Sequence, residues 1–184
     1  RNVLVTAGYI NQDPLVELCK VTDAANVDLK GFSNHFYKKV SAAALEPVLE
    51  CLKIMRKEGV WLEITNLVVP TLNEDLDEIR RMCDWIAKEL GPDVPLHFSR
   101  FHPMYKLKTL PPTPTDLLLK ARGAALEAGL HYVYIGNTPG REMQTTFCPA
   151  CKKAVIVREG YLIAANTLKD GRCPCGADIA GVWT

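Results

Sequence analysis

Short apolar runs alternate with longer amphipathic stretches from residue 2 to residue 135. Continuous runs of Val, Ile, Leu and aromatic residues are typical of strands that are buried on both faces. The strands predicted on this basis cover residues 2–6, 25–29, 61–69, 96–101 and 131–135.

The stretches between these runs predict helices, because their apolar residues recur at intervals of three and four. Residues that favour helix starts support three of them, namely Asp13 before Pro14, Asn73, and Thr113 before Pro114. The predicted helices cover residues 13–20, 73–90 and 113–129, and a fourth begins between residues 41 and 46 and ends at residue 58.

This alternation of strands and helices predicts a parallel sheet with right-handed crossovers. The fold class is therefore α/β, either a βα barrel or a doubly wound sheet. Five strands are too few to close a parallel barrel, and the chain begins with Arg1 directly before a strand. We expect residues 1–143 to be the carboxyl-terminal part of a barrel whose amino-terminal units precede this chain.

Two charged side chains mark the end of the second predicted strand, in the sequence Asn26-Val-Asp-Leu-Lys-Gly-Phe32. Asp28 and Lys30 are two residues apart and therefore project from one face of a strand. At the carboxyl end of a parallel strand, the pair lies at the edge where such folds keep their sites. The alternative is a solvated ion pair of little energetic value.

The third predicted strand also has a polar face. Glu63 and Thr65 project to the side opposite Leu62 and Ile64, and Asn66 follows. A polar face on a central strand indicates a lined cavity. Glu63 is equally suited to be a buried ion-pair partner.

The fourth predicted strand carries polar residues on both faces. Arg100 and His102 share one face near its carboxyl end, while His97 and Ser99 share the other. If Leu96 and Phe98 fill the floor of the barrel, Arg100 and His102 reach its mouth beside Asp28 and Lys30, whereas the opposite phase sends them outward. The sequence leaves the phase open.

The pattern changes after residue 143, and residues 144–184 are predicted to form a separate small unit. Two cysteine pairs, Cys148 with Cys151 and Cys173 with Cys175, flank a β segment over residues 154–157 and 161–164. This is the pattern of a zinc ribbon with four thiolate ligands. The second pair has one intervening residue instead of two, so Cys173 is the less secure ligand. The alternative is four free thiols.

Composition narrows the function classes. A net charge of +1 gives no support for a nucleic-acid or membrane partner. The odd number of cysteines, seven, favours a reducing, cytoplasmic location over a disulfide framework. Three of them, Cys19, Cys51 and Cys83, are isolated in predicted helices and are expected to be buried in the core.

Several segments, taken in order, resemble a known family. They are residues 5–9 (VTAGY), 26–31 (NVDLKG), 61–67 (WLEITNL), 96–103 (LHFSRFHP), 132–137 (YVYIGN) and the closing CGADIAGVW. The chain resembles the radical S-adenosylmethionine (SAM) enzymes related to pyruvate formate-lyase activating enzyme, and among them the AmmeMemoRadiSam-system enzyme. The resemblance implies a six-stranded βα barrel that holds SAM at the mouth of its strands. This chain is expected to contain a partial barrel of about five of them, followed by the ribbon.

The resemblance also implies roles for individual residues. Asp28 and Lys30 match the Asp-x-Lys strand end that contacts the methionyl part of SAM, and His102 matches a histidine beside it. Thr6 and Gly8 match a Thr-x-Gly strand end, although Ala7 replaces the usual Asn. Lys30 and Arg100 suit a carboxylate, and Asp28 suits an amino group or a carboxylate-bound cation.

One family motif is absent from the sequence. The Cys-x-x-x-Cys-x-x-Cys loop that holds the family's [4Fe–4S] cluster does not occur among the seven cysteines. The resemblance therefore implies that the parent protein is a radical SAM enzyme and that this chain is inactive alone. The expected partners are the missing amino-terminal half of the barrel, and a protein substrate or other AmmeMemo proteins.

Two other functions compete with this interpretation. Lys30 at a barrel strand end suits a Schiff-base aldolase, but the neighbouring Asp28 raises the pKa of such a lysine when the reaction needs it lowered. A zinc-ribbon module that binds another protein is the second alternative.

Overall fold

The computed structural model describes residues 1–138 and 140–183 and contains two sheets. The larger sheet consists of β1 (Val3–Thr6), β2 (Ala24–Asp28), β3 (Trp61–Val68), β4 (Leu96–Arg100) and β5 (Val133–Gly136). Its strands lie in the order β1-β2-β3-β4-β5, and every neighbouring pair is parallel. The predicted fold class, an α/β fold with about five parallel strands, is confirmed.

Helices separate the strands along the chain. They are α1 (Gln12–Cys19), α2 (Asn34–Phe36), α3 (Leu45–Lys57), α4 (Leu76–Trp85) and α5 (Thr115–Glu127). Single π-helical turns extend α2 over Tyr37–Ser41 and α4 over Ile86–Leu90, and short 3-10 turns occur at Tyr105–Leu107 and Glu142–Gln144. Among the helices of the described residues, none has the length and apolar character needed to cross a membrane.

The helices cover one face of the larger sheet, because strands added in chain order by crossovers of one hand keep their helices on one side. The main core lies between the two layers and includes Leu62, Ile64 and Phe98, which are fully or almost fully buried. Cys19, Cys51 and Cys83 are buried in the same core, as predicted.

The other face of this sheet is open. Its residues are those that alternate with the core residues, and on the edge strand β1 they are strongly exposed, with Val3 at 68% and Val5 at 76%. The register pairs Val5 with Asn26 and Asn26 with Glu63, so this open face carries the polar side chains of β2 and β3.

Three helix starts differ from the sequence-based prediction. Helix α1 begins one residue before Asp13, with Asn11 at its N-cap. The N-cap of α4 is Asp75, whose carboxylate accepts hydrogen bonds from the first turn, whereas Asn73 is buried. Helix α5 begins after Pro114, and Thr113 is fully buried. Asn73 and Thr113 bind strand backbone instead, and that long-range use of a cap residue has no local signature.

The segment between β2 and α3 contains a further helix, α2 with its π turn, which the sequence analysis does not predict. Ser33 caps this helix, since its Oγ accepts a hydrogen bond from the Phe36 N–H at 3.3 Å.

The smaller sheet is antiparallel and consists of β6 (Thr146–Phe147), β7 (Ala154–Glu159) and β8 (Leu162–Asn166). A second core lies beside it and includes Tyr132, the residue before β5. Its other buried members are Cys148, Val155, Ile156, Cys173 and Ile179. Every residue of β8 is exposed. The domain boundary between residues 143 and 144 remains a prediction.

Candidate functional site

The end of β2 presents an ion pair at the carboxyl edge of the sheet. Lys30 Nζ lies 2.8 Å from Asp28 Oδ2, and the two side chains are 37% and 28% exposed respectively. Asp28 lies beside Thr65 in the register, so both project to the open face. A half-exposed pair of this kind contributes little stability, and each partner remains accessible to a ligand.

The backbone around Lys30 is held by side chains from other elements. The Lys30 N–H donates to Tyr37 Oη at 3.2 Å, and Asn73 Nδ2 donates to the Lys30 carbonyl at 2.6 Å. Burial raises the pKa of Tyr37 to about 12, although the Lys30 N–H acts in the opposite direction. Tyr37 is therefore a neutral phenol at physiological pH, and the position of the strand end is fixed.

Two more side chains hold the adjacent peptide groups. Asn66 Nδ2 donates to the Leu29 carbonyl at 2.7 Å, and Glu78 Oε1 accepts from the Phe32 N–H at 2.9 Å. Asn66, predicted as a cavity residue, lies on the helix-covered face with 2% exposure. Its Oδ1 is buried without a hydrogen-bond partner in the described part of the chain. Asn66 therefore holds the backbone at the end of β2 from the helix-covered face of the sheet and does not line a cavity on the open face.

Thr6 and Gly8 form the corresponding end of β1. Thr6 Oγ1 accepts a hydrogen bond from the Gly8 N–H at 3.1 Å, and Thr6 is paired in register with the buried Val27. Gly8 has a φ of +68°, and a Cβ there would lie 2.9 Å from Val27 Cγ1. The position needs glycine for both its conformation and its close packing.

The structure separates Arg100 from the residues at the end of β2. Arg100 is paired in register with Val68, and its Nε donates to the Thr113 carbonyl at 2.9 Å. It therefore shares the face of Leu96 and Phe98, which are fully buried beneath the helices. The sequence leaves open which face of β4 meets the helices. In the structure Arg100 lies on the helix-covered face, and His97 and Ser99 lie on the open face.

His102 follows β4 and is exposed at the same carboxyl edge. Its Nε2 lies 3.3 Å from the Asn137 carbonyl oxygen, and Asn137 Nδ2 donates to the Arg100 carbonyl at 3.4 Å. His102 therefore lies at the same edge of the sheet as Asp28 and Lys30 but forms no hydrogen bond with either of them in the described residues.

A second polar group lies on the open face of β3 and β4. His97 Nε2 is 2.7 Å from Glu63 Oε2, and Trp61 Nε1 donates to Glu63 Oε1 at 3.4 Å. Burial raises the pKa of Glu63, but the hydrogen bonds from His97 and Trp61 together lower it below its ordinary value. Glu63 is therefore ionised at neutral pH. Nearby, Thr65 Oγ1 donates to Asn26 Oδ1 at 2.9 Å.

The four cysteines of the smaller unit converge. The Sγ atoms of Cys148, Cys151, Cys173 and Cys175 all lie within 4.8 Å of one another. Two of these distances are 3.7 Å, from Cys148 to Cys175 and from Cys151 to Cys173. Four sulfurs bound tetrahedrally to one zinc ion stand about 3.8 Å apart. The cluster fits a single metal ion.

The turns that carry these cysteines supply further contacts. The Lys152 N–H donates to the Cys148 carbonyl, and the Gly176 N–H donates to the Cys173 carbonyl. Burial by itself raises the pKa of the Cys148 thiol. The hydrogen bonds from the backbone N–H groups of Cys151 and Ala150 outweigh this effect, and the pKa is lowered to about 7. Donors directed at a sulfur stabilise its thiolate form, which is the form that binds a metal.

The sequence analysis missed two sets of residues. One is the set that anchors the end of β2, Tyr37, Asn73 and Glu78, which local patterns assign to a linker or to helix starts. The other joins the two sheets. Tyr134 stacks on His97 with ring centroids 5.0 Å apart, and its hydroxyl lies 2.8 Å from Thr146 Oγ1. Alternation along β5 could have placed Tyr134 on the face of His97.

Five parallel strands with helices on one face define the class of fold, which is that of a partial βα barrel. The chain is similar to a domain of pyruvate-formate lyase-activating enzyme from Bacteroides vulgatus, with a TM-score of 0.65 and 12% identity over 74% of this chain and 81% of that chain. It is also similar to SuiB from Streptococcus suis, with a TM-score of 0.59 and 7% identity over 73% of this chain and 32% of that chain. At these identities the likeness shows the fold alone.

The sequence also has a curated relative. The uncharacterized protein MJ0808 of Methanocaldococcus jannaschii is 51% identical over 183 residues, which cover 97% of this chain and 54% of that protein. The chain therefore spans about half the length of the curated relative that it matches. No protein-family model matches the sequence.

Proposed function

We propose that this chain is the carboxyl-terminal portion of a radical SAM enzyme related to pyruvate formate-lyase activating enzyme, of the AmmeMemoRadiSam type. Such an enzyme cleaves SAM reductively at a [4Fe–4S] cluster and abstracts hydrogen with the resulting 5′-deoxyadenosyl radical. The observation that carries the proposal is the Asp28–Lys30 pair on the open face of a radical SAM-like partial barrel.

In this proposal the end of β2 binds the methionyl part of SAM. The Lys30 ammonium pairs with its carboxylate, and the Asp28 carboxylate pairs with its amino group. Both groups are accessible, and the backbone that carries them is fixed by Tyr37 and Asn73. Thr6 and Gly8, at the end of the neighbouring strand β1, and His102, which follows β4 two strands away, would complete this half of the pocket. Arg100 has no part in it, because its guanidinium binds the Thr113 carbonyl.

The cluster that reduces SAM would be held elsewhere. The four clustered cysteines of this chain fit one ion, whereas a four-iron cluster separates its thiolates, because each binds a different iron. We therefore propose that the chain alone does not cleave SAM. The missing half of the barrel would be its first partner, and a protein substrate or AmmeMemo proteins would be others, in the cytoplasm.

SAM binding to this chain tests the proposal. We expect weak but saturable binding by isothermal titration, and Lys30→Gln should weaken it about tenfold, since a hydrogen bond to a charged group contributes about 1.5–3 kcal/mol. Lys20→Gln is the matched control, because Lys20 is the exposed C-cap residue of α1 and its ion pair in the described residues is with Glu17. Equal effects of the two variants, or no binding by the unchanged chain, would overturn the assignment of this pocket.

Catalysis needs a separate test. The full-length Methanocaldococcus relative, loaded anaerobically with iron and sulfide, should release 5′-deoxyadenosine from SAM with dithionite, whereas this chain should not. Failure of the relative would overturn the radical function without touching the SAM-binding result.

We also propose that the four-cysteine cluster holds zinc as a structural ion. Four thiolates leave no open coordination position, so the ion would stabilise the fold and take no part in chemistry. Metal analysis of anaerobically purified protein should give about one zinc per chain and no iron. Stoichiometric iron with labile sulfide would contradict both the zinc assignment and the inactivity of this chain.

The aldolase alternative has less support. A Schiff-base lysine must present its amine to the substrate as a nucleophile, whereas Lys30 Nζ is paired with Asp28 Oδ2 at 2.8 Å. Borohydride trapping of a carbonyl substrate on Lys30 would favour the aldolase.

A further inference from the structure

A cavity of about 960 Å³ lies between the open face of the larger sheet and the cysteine-bearing unit. Trp61, Glu63 and His97 line it from the sheet, and Arg158 and Trp183 line it from the opposite wall. Its volume is at the upper end of the range for small-molecule sites. The ion pair at the end of β2 is not among its lining residues, so the cavity is distinct from the proposed SAM contacts.

Arg158 is a half-buried cation without a carboxylate partner in the described part of the chain. Its Nη1 donates to Thr146 Oγ1 at 2.9 Å and to the Gln144 carbonyl at 3.3 Å, and the guanidinium lies 6.0 Å from the centroid of the Tyr134 ring. These contacts fix its orientation. The side chain also hydrogen bonds to Tyr134. A guanidinium has five N–H donors, so these contacts leave donors that suit a carboxylate.

Glu63 provides the opposite charge on the sheet wall. His97 and Trp61 hold its two carboxylate oxygens, yet 38% of the side chain is exposed. Arg158 is close enough to lower the pKa of Glu63, but the two form no ion pair in the described structure. Glu63 and Arg158 therefore face the same cavity as opposite charges that form no ion pair with each other in the described structure, and Arg1 and Asp23 line it as well.

We propose that this cavity binds a zwitterionic aminocarboxylate, either a free amino acid or a small derivative of one. The ligand carboxylate binds Arg158 and the ligand ammonium binds Glu63. The aromatic walls formed by Trp61, Tyr134 and Trp183 contact the remainder of the ligand. The inference goes beyond the proposed radical function and does not depend on it, because all the groups belong to this chain.

Binding can be measured directly on the chain. Saturation-transfer NMR with a mixture of the twenty standard amino acids identifies any that bind, and tryptophan fluorescence then gives the affinity. Fluorescence is suitable because Trp61 and Trp183 line the cavity, and Trp85 is the third tryptophan. We expect at least one amino acid to bind saturably, and its N-acetyl and amide derivatives to bind at least about tenfold more weakly, since each lacks one charge.

Variants assign the two ends of the ligand. Arg158→Gln should bind the amide as well as the free acid, and Glu63→Gln should bind the N-acetyl form as well as the free amine. Arg158→Lys keeps the charge without the planar fork and should give intermediate affinity, which keeps the test valid if Arg158→Gln loosens the contact with Thr146. Arg141→Gln is the matched control, because Arg141 lies outside the cavity and pairs with Glu159.

Three results would overturn the proposal. The first is no saturable binding by any amino acid. The second is an Arg158→Gln variant that stays folded by circular dichroism and retains the affinity and selectivity of the unchanged chain. The third is loss of binding in Lys30→Gln, which would place the ligand at the end of β2 instead.

Discussion

The two sheets of this protein pack against cores of very different size. The larger sheet is covered by helices, and its core contains large apolar side chains with no exposure, such as Leu15, Ile64 and Phe98. The smaller unit has a core of few residues, two of which are the cysteines Cys148 and Cys173, and its strand β8 is exposed throughout. A sheet of this size can fold by hydrophobic burial, but the smaller unit needs another source of stability.

Removal of the metal should produce the largest effect. Structural zinc contributes about 10–16 kcal/mol in small zinc domains, so chelation should abolish amide protection in residues 146–183 and leave β3 and β4 protected. Hydrogen exchange with mass spectrometry measures both regions in one sample. Equal loss of protection in the two units would mean that they fold as one.

A substitution that leaves a void in the larger core should have the next largest effect on stability. It should destabilise the larger sheet and leave the metal-binding unit intact. Phe98→Ala should lower the free energy of unfolding of the sheet by about 3–5 kcal/mol, because the ring is fully buried. The metal content should remain that of the unchanged protein. Leu162→Ala is the control, since Leu162 is 64% exposed on β8 and should change stability by less than about 0.5 kcal/mol. If Phe98→Ala also lost its metal, the stability of the smaller unit would depend on the core of the larger sheet, and the contrast between the two units would be contradicted.

Alkaline pH should weaken the larger unit through Tyr37. Burial raises the pKa of Tyr37 to about 12, above the ordinary value of about 10. The folded state therefore favours the neutral phenol, and this stabilisation is complete below about pH 10 and is lost as the pH rises toward 12. Urea unfolding at pH 9 and pH 11 should show a steeper loss for the unchanged protein than for Tyr37→Phe, by roughly 1 kcal/mol. Identical slopes would show that Tyr37 does not couple folding to pH.

The smallest effect on stability is expected at the proposed SAM contacts. Lys30→Gln breaks a half-exposed ion pair and should change the free energy of unfolding by less than about 1 kcal/mol. Thermal unfolding followed by circular dichroism is sufficient. A loss above about 2 kcal/mol would make the pair structural and would weaken its assignment to ligand binding.

The order of strands and helices could be predicted from the sequence because it depends on local patterns. Runs such as residues 61–69 identify buried strands, and their alternation with helices implies a parallel sheet. The four cysteines were predicted as a set for a similar reason, because two closely spaced pairs around a hairpin leave few geometries, and their Sγ atoms do lie within 4.8 Å of one another. Asp28 and Lys30 were paired by the period of a strand alone.

Only the tertiary structure decided which face of each strand meets the helices. Alternation gives Arg100 and His97 opposite faces, but the packing of Phe98 under the helices assigns Arg100 to the covered side and His97 to the open side. The roles of Asn73 and Arg158 also depend on contacts far apart in the chain, with Lys30 and with the sheet at Tyr134. Local patterns carry no record of such contacts, because they arise only when separate elements pack together.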